Sequence, residues 1–142
     1  MSSTLPRLGT VRAVLVLLGL PQFTLGIWGI VSPQGFFDTF PGGGQHWLPA
    51  YGPYDSHLAS DVGATFLAIG LLMFMAAWIA ERRLVQVALV AYLAYDIPHF
   101  IYHVANDHVL DSGAQVANGA ALGLSVAAAL SLLVMIRKSP AE

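Results

Sequence analysis

Residues 95–104 read YDIPHFIYHV and close an otherwise apolar run that begins at Leu84. An aspartate, a proline and two histidines are costly in hydrocarbon: a carboxylate at mid-bilayer alone costs about 2.5–3.5 kcal/mol on insertion scales. Either the run does not cross a membrane, or it crosses one with its polar groups turned to a protein interior. The rest of the chain favours the second choice. Stretches of the roughly 20 apolar residues that a bilayer crossing needs occur at about 11–31, 58–80, 84–104 and 114–136. The composition is 56% hydrophobic and 10% charged, with a mean hydropathy of +0.68, where a soluble domain carries about 25% charged residues. The expected fold is all-α: a four-helix transmembrane bundle forming one integral membrane domain over residues 1–142. The first stretch follows Arg7 and Arg12 as a signal peptide would. Its apolar character continues through LGIWGIV without a small-residue cleavage site, so a retained helix is expected.

The charges sort by end. Arg7 and Arg12 precede the first span, Arg82 and Arg83 lie between the second and third, and Arg137 and Lys138 follow the fourth. By the positive-inside rule both termini are cytoplasmic, and the chain is a multi-pass protein of the cell membrane. Every histidine and aspartate falls on the other side. Asp38, His46, Asp55, Asp107, His108 and Asp111 belong to the outer loops, while His57, Asp61, Asp96, His99 and His103 belong to the outer halves of the second and third spans. A net charge of −2 offers no basic patch to nucleic acid. Without cysteine there are no disulfides or thiolate ligands, which leaves histidine and aspartate to carry the chemistry.

At 100° per residue, Asp96, His99 and His103 fall within an arc of about 60°, with Tyr92 one turn deeper. His57 and Asp61 likewise share a face of the second span. A connection of about three residues makes these two spans an antiparallel hairpin. The pairs His57 with His103 and Asp61 with His99 then lie within about 6 Å of equal depth at 1.5 Å per residue, inside the slack of tilt and kink, so three imidazoles and two carboxylates are expected to converge. Pro98 removes the hydrogen bond to the Ala94 carbonyl and bends the helix between Asp96 and His99, which a membrane tolerates beside a hydrated cavity. Gln115, Asn118 and Trp47 are expected to line the same pocket, with Gln22 below it.

Such a cluster suits Zn or Fe, with His57, His99 and His103 as ligands and Asp96 and Asp61 as catalytic groups that complete the shell or act as base. The substrate would be a lipid-like or aromatic small molecule. Two other readings are a quinone- or haem-binding accessory subunit of a membrane redox complex, and a metal-free acid/base cyclase or isomerase of an apolar substrate. The plain structural alternative is interhelical hydrogen bonding, but at about 0.6 kcal/mol per contact it returns little for five such groups.

The loop SPQGFFDTFPGGGQHWLPAYGPYDS (32–56) is rich in aromatics, which either belong to the interfacial belt or form a lid on the pocket. Asp55 or Ser56 is placed to cap the second span. Gly119, Gly123 and Ala127 form a small-residue ridge suited to contact inside the bundle ahead of a homodimer, and Gly26, Gly29, Gly63 and Gly70 are expected to serve close packing elsewhere. The stretch DVGATFLAIGLLM, through Gly63, Ala64, Gly70, Leu71 and Leu72, resembles the second-helix pattern of the DoxX-like family of small membrane proteins. The exit VSPQGFF from the first span is compatible with it. The likeness covers about half the chain, and Phe66 stands where many members carry glutamate. The resemblance implies a four-helix bundle and a link to quinone or thiol redox chemistry.

Overall fold

The computed structural model describes residues 7–138. Four long helices, α1 (Leu8–Val31), α3 (Ser56–Ile79), α4 (Arg82–Asn106) and α5 (Ser112–Lys138), make an all-α bundle, and a short helix α2 (Pro33–Thr39) lies in the loop between α1 and α3. All four long helices are long and apolar enough to cross a membrane. At 1.5 Å per residue a 24-residue helix rises about 36 Å, enough for a hydrocarbon core of about 30 Å with some tilt. Their outward faces carry Leu17, Val31, Val87, Val116 and Leu124, all exposed, as contact with lipid requires. The helices start two to three residues earlier than the hydropathy runs, because caps and charged ends belong to a helix without being apolar. α4 also ends two residues later, at Asn106, and α5 continues through Lys138.

The bundle is built from two close pairs. α1 packs on α3 along glycines: Gly29 and Gly63 meet backbone to backbone, Gly26 lies against Leu67, and Gly70 lies against Phe23. In a bilayer such contact rests on van der Waals packing rather than on the hydrophobic effect, so missing side chains are what allow it. The α5 ridge does not take this part. A side chain at Gly119 would meet nothing within 4 Å, Ala127 is exposed, and only Gly123 approaches a neighbour, the Phe100 ring. α5 packs on α4 instead through larger residues, Leu132, Leu133 and Ile136 against Val85, Ala88 and Leu89. Between the α1–α3 pair and the α4–α5 pair the contacts thin out, and α1 touches α5 sparsely. That gap positions the site described below.

At one end the arginines bind helix carbonyls: Arg12 Nε donates to Ala77 O at 3.1 Å and Arg82 Nη2 to Ile136 O at 2.5 Å. Cations there complete the unpaired carbonyls and negative dipole ends of α3 and α5. The other end carries the aromatic loop. Asp55 caps α3 there, its Oδ1 accepting Leu58 N–H at 2.9 Å. Gly42, Gly43 and Gly44 all have positive φ, a run of left-handed backbone that only glycine adopts without strain. The turn folds Trp47 back so that Trp28, Phe36, Phe40 and Trp47 form a chain of edge-on ring contacts with centroids 5.5–6.0 Å apart.

Candidate functional site

The space between the helix pairs is a cavity of about 1050 Å³. Its walls are mostly apolar. α1 contributes Leu18 and Leu25, α3 Val62 and Phe66, and α5 Leu122, while Phe36, Phe40, Trp47 and Tyr51 of the loop cover the loop end. Leu17 and Leu20 of α1 and Ala117 and Ala121 of α5 line it while remaining exposed. The cavity is therefore open sideways at the α1–α5 seam.

The polar lining comes chiefly from α4. Tyr92, Asp96, His99 and His103 all face the cavity, as their shared stripe requires, and the helix runs unbroken through Pro98, which sits on the opposite, exposed side. Asn118 and Trp47 also line the cavity. Gln115 does not; its side chain turns back to Leu110 O at 2.8 Å. His46 and His108 are exposed.

His57 and Asp61 correct the expected convergence. They pair with each other at 3.1 Å on the outer surface of α3, with side chains 86% and 64% exposed. α3 lines the cavity with Asp55, Leu58, Ala59, Val62 and Phe66. On a 100° wheel His57 and Asp61 point roughly 155° and 115° away from the centre of that face. Their depth was legible in the sequence; the rotation of α3 about its axis was not, and the glycine contact with α1 sets it. The ligand set His57, His99 and His103 is thus not assembled, and Asp61 is no partner of His99. Among the described residues no group of three or more His, Cys, Asp or Glu is placed to hold a metal ion. Because the His57–Asp61 pair is solvent- or headgroup-facing, replacing both with alanine is expected to change thermal stability by less than about 0.5 kcal/mol and to leave ligand binding unchanged. Thermal unfolding and binding by the double variant check this.

Two polar clusters occupy the cavity wall. In the first, Asp107 is almost fully buried and takes three hydrogen bonds. The Tyr51 hydroxyl donates to Oδ1, His103 Nδ1–H donates to Oδ1 at 2.8 Å, and Asn118 Nδ2 donates to Oδ2 at 2.9 Å. A carboxylate only accepts, so the bond to Asp107 uses a hydrogen on His103 Nδ1; the Tyr51 hydroxyl and Asn118 Nδ2 also lie 3.2 and 3.0 Å from that nitrogen. Burial first, and then the hydrogen bond and charge of Asp107, push the Tyr51 phenol above its ordinary pKa and keep it a donor. The His103 ring stands edge-on to His99, centroids 4.6 Å apart, and His99 stacks on Tyr95 at 5.2 Å.

The second cluster lies deeper. Asp96 is 1% exposed; the Ser125 hydroxyl donates to its Oδ2, and its Oδ1 has no hydrogen-bond partner. Gln22, 9% exposed, leaves its Oε1 unpartnered. Each unmatched oxygen costs about 1–3 kcal/mol. Asp96 lies seven residues from His103, about 10 Å along the helix.

Tyr51, Asp107 and Ser125 were not anticipated from the sequence. The i,i+4 spacing of His103 and Asp107 carried a signal, hidden by ending the helix at Val104 and giving Asp107 to the loop. Tyr51 and Ser125 reach their partners across 56 and 29 residues, and no local pattern marks them. No family model, no curated protein and no solved structure matches the chain.

Proposed function

We propose that this chain draws a lipid-like molecule from the bilayer through the α1–α5 seam and carries out metal-free acid–base chemistry on it, an isomerisation or cyclisation. One observation carries the reading: a single apolar cavity is lined both by His103, whose Nδ1 pairs with Asp107, and by the buried Asp96 carboxyl. Asp107 fixes the ring and tautomer of His103 and stabilises the imidazolium that forms when Nε2 takes a proton, the role a carboxylate plays behind a catalytic histidine. Asp96, about 10 Å deeper, addresses a second position of the same molecule. Acid–base groups at two points along one molecule are what an isomerisation or cyclisation of a long apolar substrate needs. The aromatic loop excludes water from reactive intermediates. The arginine distribution supports termini in the cytoplasm, and with that orientation the cavity opens to the outer side of the cell membrane.

An isomerase conserves mass. Lipid extracts from cells with and without the protein are therefore expected to contain a pair of species of equal mass and different retention whose ratio depends on it. The conversion persists in strong chelators and falls at least about 100-fold in His103→Gln, as loss of a general base does. An unchanged lipid profile, or activity abolished by chelation and restored by metal, refutes the reading.

A second reading keeps a specific observation of its own. The stacked Tyr95–His99 pair and the ring-lined loop form a surface for a planar quinone or haem, in line with the DoxX-like resemblance and its quinone link; the thiol side of that link has no cysteine here. A quinone or a Soret absorbance in the purified protein, with co-purifying redox subunits, selects this reading.

A further inference from the structure

Two buried acceptors without donors stand in one cavity wall, and the occupant is the natural source of the missing hydrogens. We infer that the molecule held here is an apolar alcohol, seated with its hydroxyl between Asp96 and Gln22. The inference rests on the reading of the cavity as a lipid-like ligand's site, and adds the chemistry of the ligand's polar end.

Buried polar groups in folded proteins are nearly always hydrogen-bonded, and an exception calls for a reason. Here two exceptions, Asp96 Oδ1 and Gln22 Oε1, occur in residues that both line the cavity. Ser125 takes the other Asp96 oxygen. Asp96 of α4 is thereby tied to α5, and one acceptor is left over on α4 and one on α1. Both oxygens are pressed into the wall, and a ligand reaches them by rotation about the terminal carboxyl or amide torsion, which is soft.

A ketone, an aldehyde or an ether brings only acceptors and leaves both oxygens unmatched. An ammonium brings donors and no acceptor, whereas the neighbouring His99, one turn from Asp96 and lining the same space, offers an imidazole N–H that needs one. A hydroxyl does both. It donates to Asp96 or Gln22 and accepts from His99. The surroundings fit the rest of an alcohol: Leu18, Leu25, Phe66 and Leu122 enclose the space, and Leu17, Leu20, Ala117 and Ala121 lead from it to the lipid-facing surface. The polar cluster lies at the depth of the hydrocarbon, so a headgroup carrying phosphate or a full charge is excluded by its desolvation cost.

The test uses full-length protein in lipid nanodiscs with Trp47 as the sole tryptophan, Trp28 and Trp78 being replaced by phenylalanine. Trp47 lines the cavity, so a dodecanol brominated at its far end quenches it on binding. The brominated alcohol is expected to quench at about tenfold lower concentration than its methyl ether, the ratio expected when a buried acceptor loses its donor. Replacing both acceptors, Gln22→Leu together with Asp96→Leu, brings the ratio toward one. Equal quenching by alcohol and ether in the unsubstituted site overturns the inference and leaves the cavity a lipid-binding one. Tighter binding of the corresponding dodecylamine also overturns it. Quenching by none of the probes overturns it together with the ligand-site reading.

Discussion

Asp107→Ala is expected to lower the stability of the bundle by about 3 kcal/mol and to release the aromatic loop from the cavity mouth. The carboxylate is the common acceptor for Tyr51, His103 and Asn118, which come from the loop, α4 and α5. Each hydrogen bond to a charged group contributes about 1.5–3 kcal/mol, but the three share one carboxylate and are not additive. Removing it also leaves three donors in a half-buried site without their acceptor, and the penalty for that dominates. Tyr51→Phe removes one donor and costs about 1.5–3 kcal/mol at most on the same scale. Thermal unfolding in detergent orders the variants, and loop release shows as new proteolytic cleavage between 40 and 55. A loss below about 1 kcal/mol for Asp107→Ala would mean that the cluster does not hold the loop.

The same contact gives a pH dependence. The Tyr51 phenol is raised in the fold by its burial and by Asp107, so its contribution is complete below the unfolded tyrosine pKa of about 10 and is lost as the pH climbs from there toward the folded value. Near neutral pH the difference in melting temperature between the protein and Tyr51→Phe is expected to be constant, because the phenol does not titrate there. Above about pH 10 the protein with Tyr51 falls more steeply than Tyr51→Phe. Identical alkaline slopes for the two proteins would remove Tyr51 from the account.

Gly26→Leu is expected to prevent the native bundle from forming. Even a methyl group at Gly26 would stand 2.3 Å from Leu67 N and 2.7 Å from Leu67 Cα, both backbone atoms. A flexible side chain yields to such an intrusion; a helix axis does so only by moving the whole helix. Overpacking a core costs about 1–3 kcal/mol when side chains adjust, so Gly26→Ala already lies at or beyond the top of that range. Leucine forces α1 and α3 apart along the seam where Gly29 meets Gly63 and Gly70 meets Phe23. Gly119→Ala is the control. Nothing lies within 4 Å of a side chain there, and the change is expected to be neutral or to stabilise α5 by up to about 1 kcal/mol through helix propensity. Yield of monodisperse protein and thermal unfolding check both, and equal behaviour of the two alanine variants would refute the close-packed seam.

The sequence by itself determined the four spans, the all-α bundle, the end on which the polar groups gather, and the stripe Tyr92–Asp96–His99–His103. These follow from properties local to the chain: hydropathy over some twenty residues, charge at helix ends, and the 100° period that fixes which residues of one helix share a face. Only the tertiary structure decided which way each face turns. His57 and Asp61 have the same i,i+4 spacing as His99 and His103, yet they lie on the exposed side of α3, because the glycines that seat α3 against α1 set its rotation. Likewise, Tyr51 and Ser125 gain their partners only when distant segments meet, and Gln22 lines the cavity because α1 stands apart from α5. Periodicity gives relative angles within a helix. The absolute angle about its axis comes from close packing with a neighbour, which no single helix encodes.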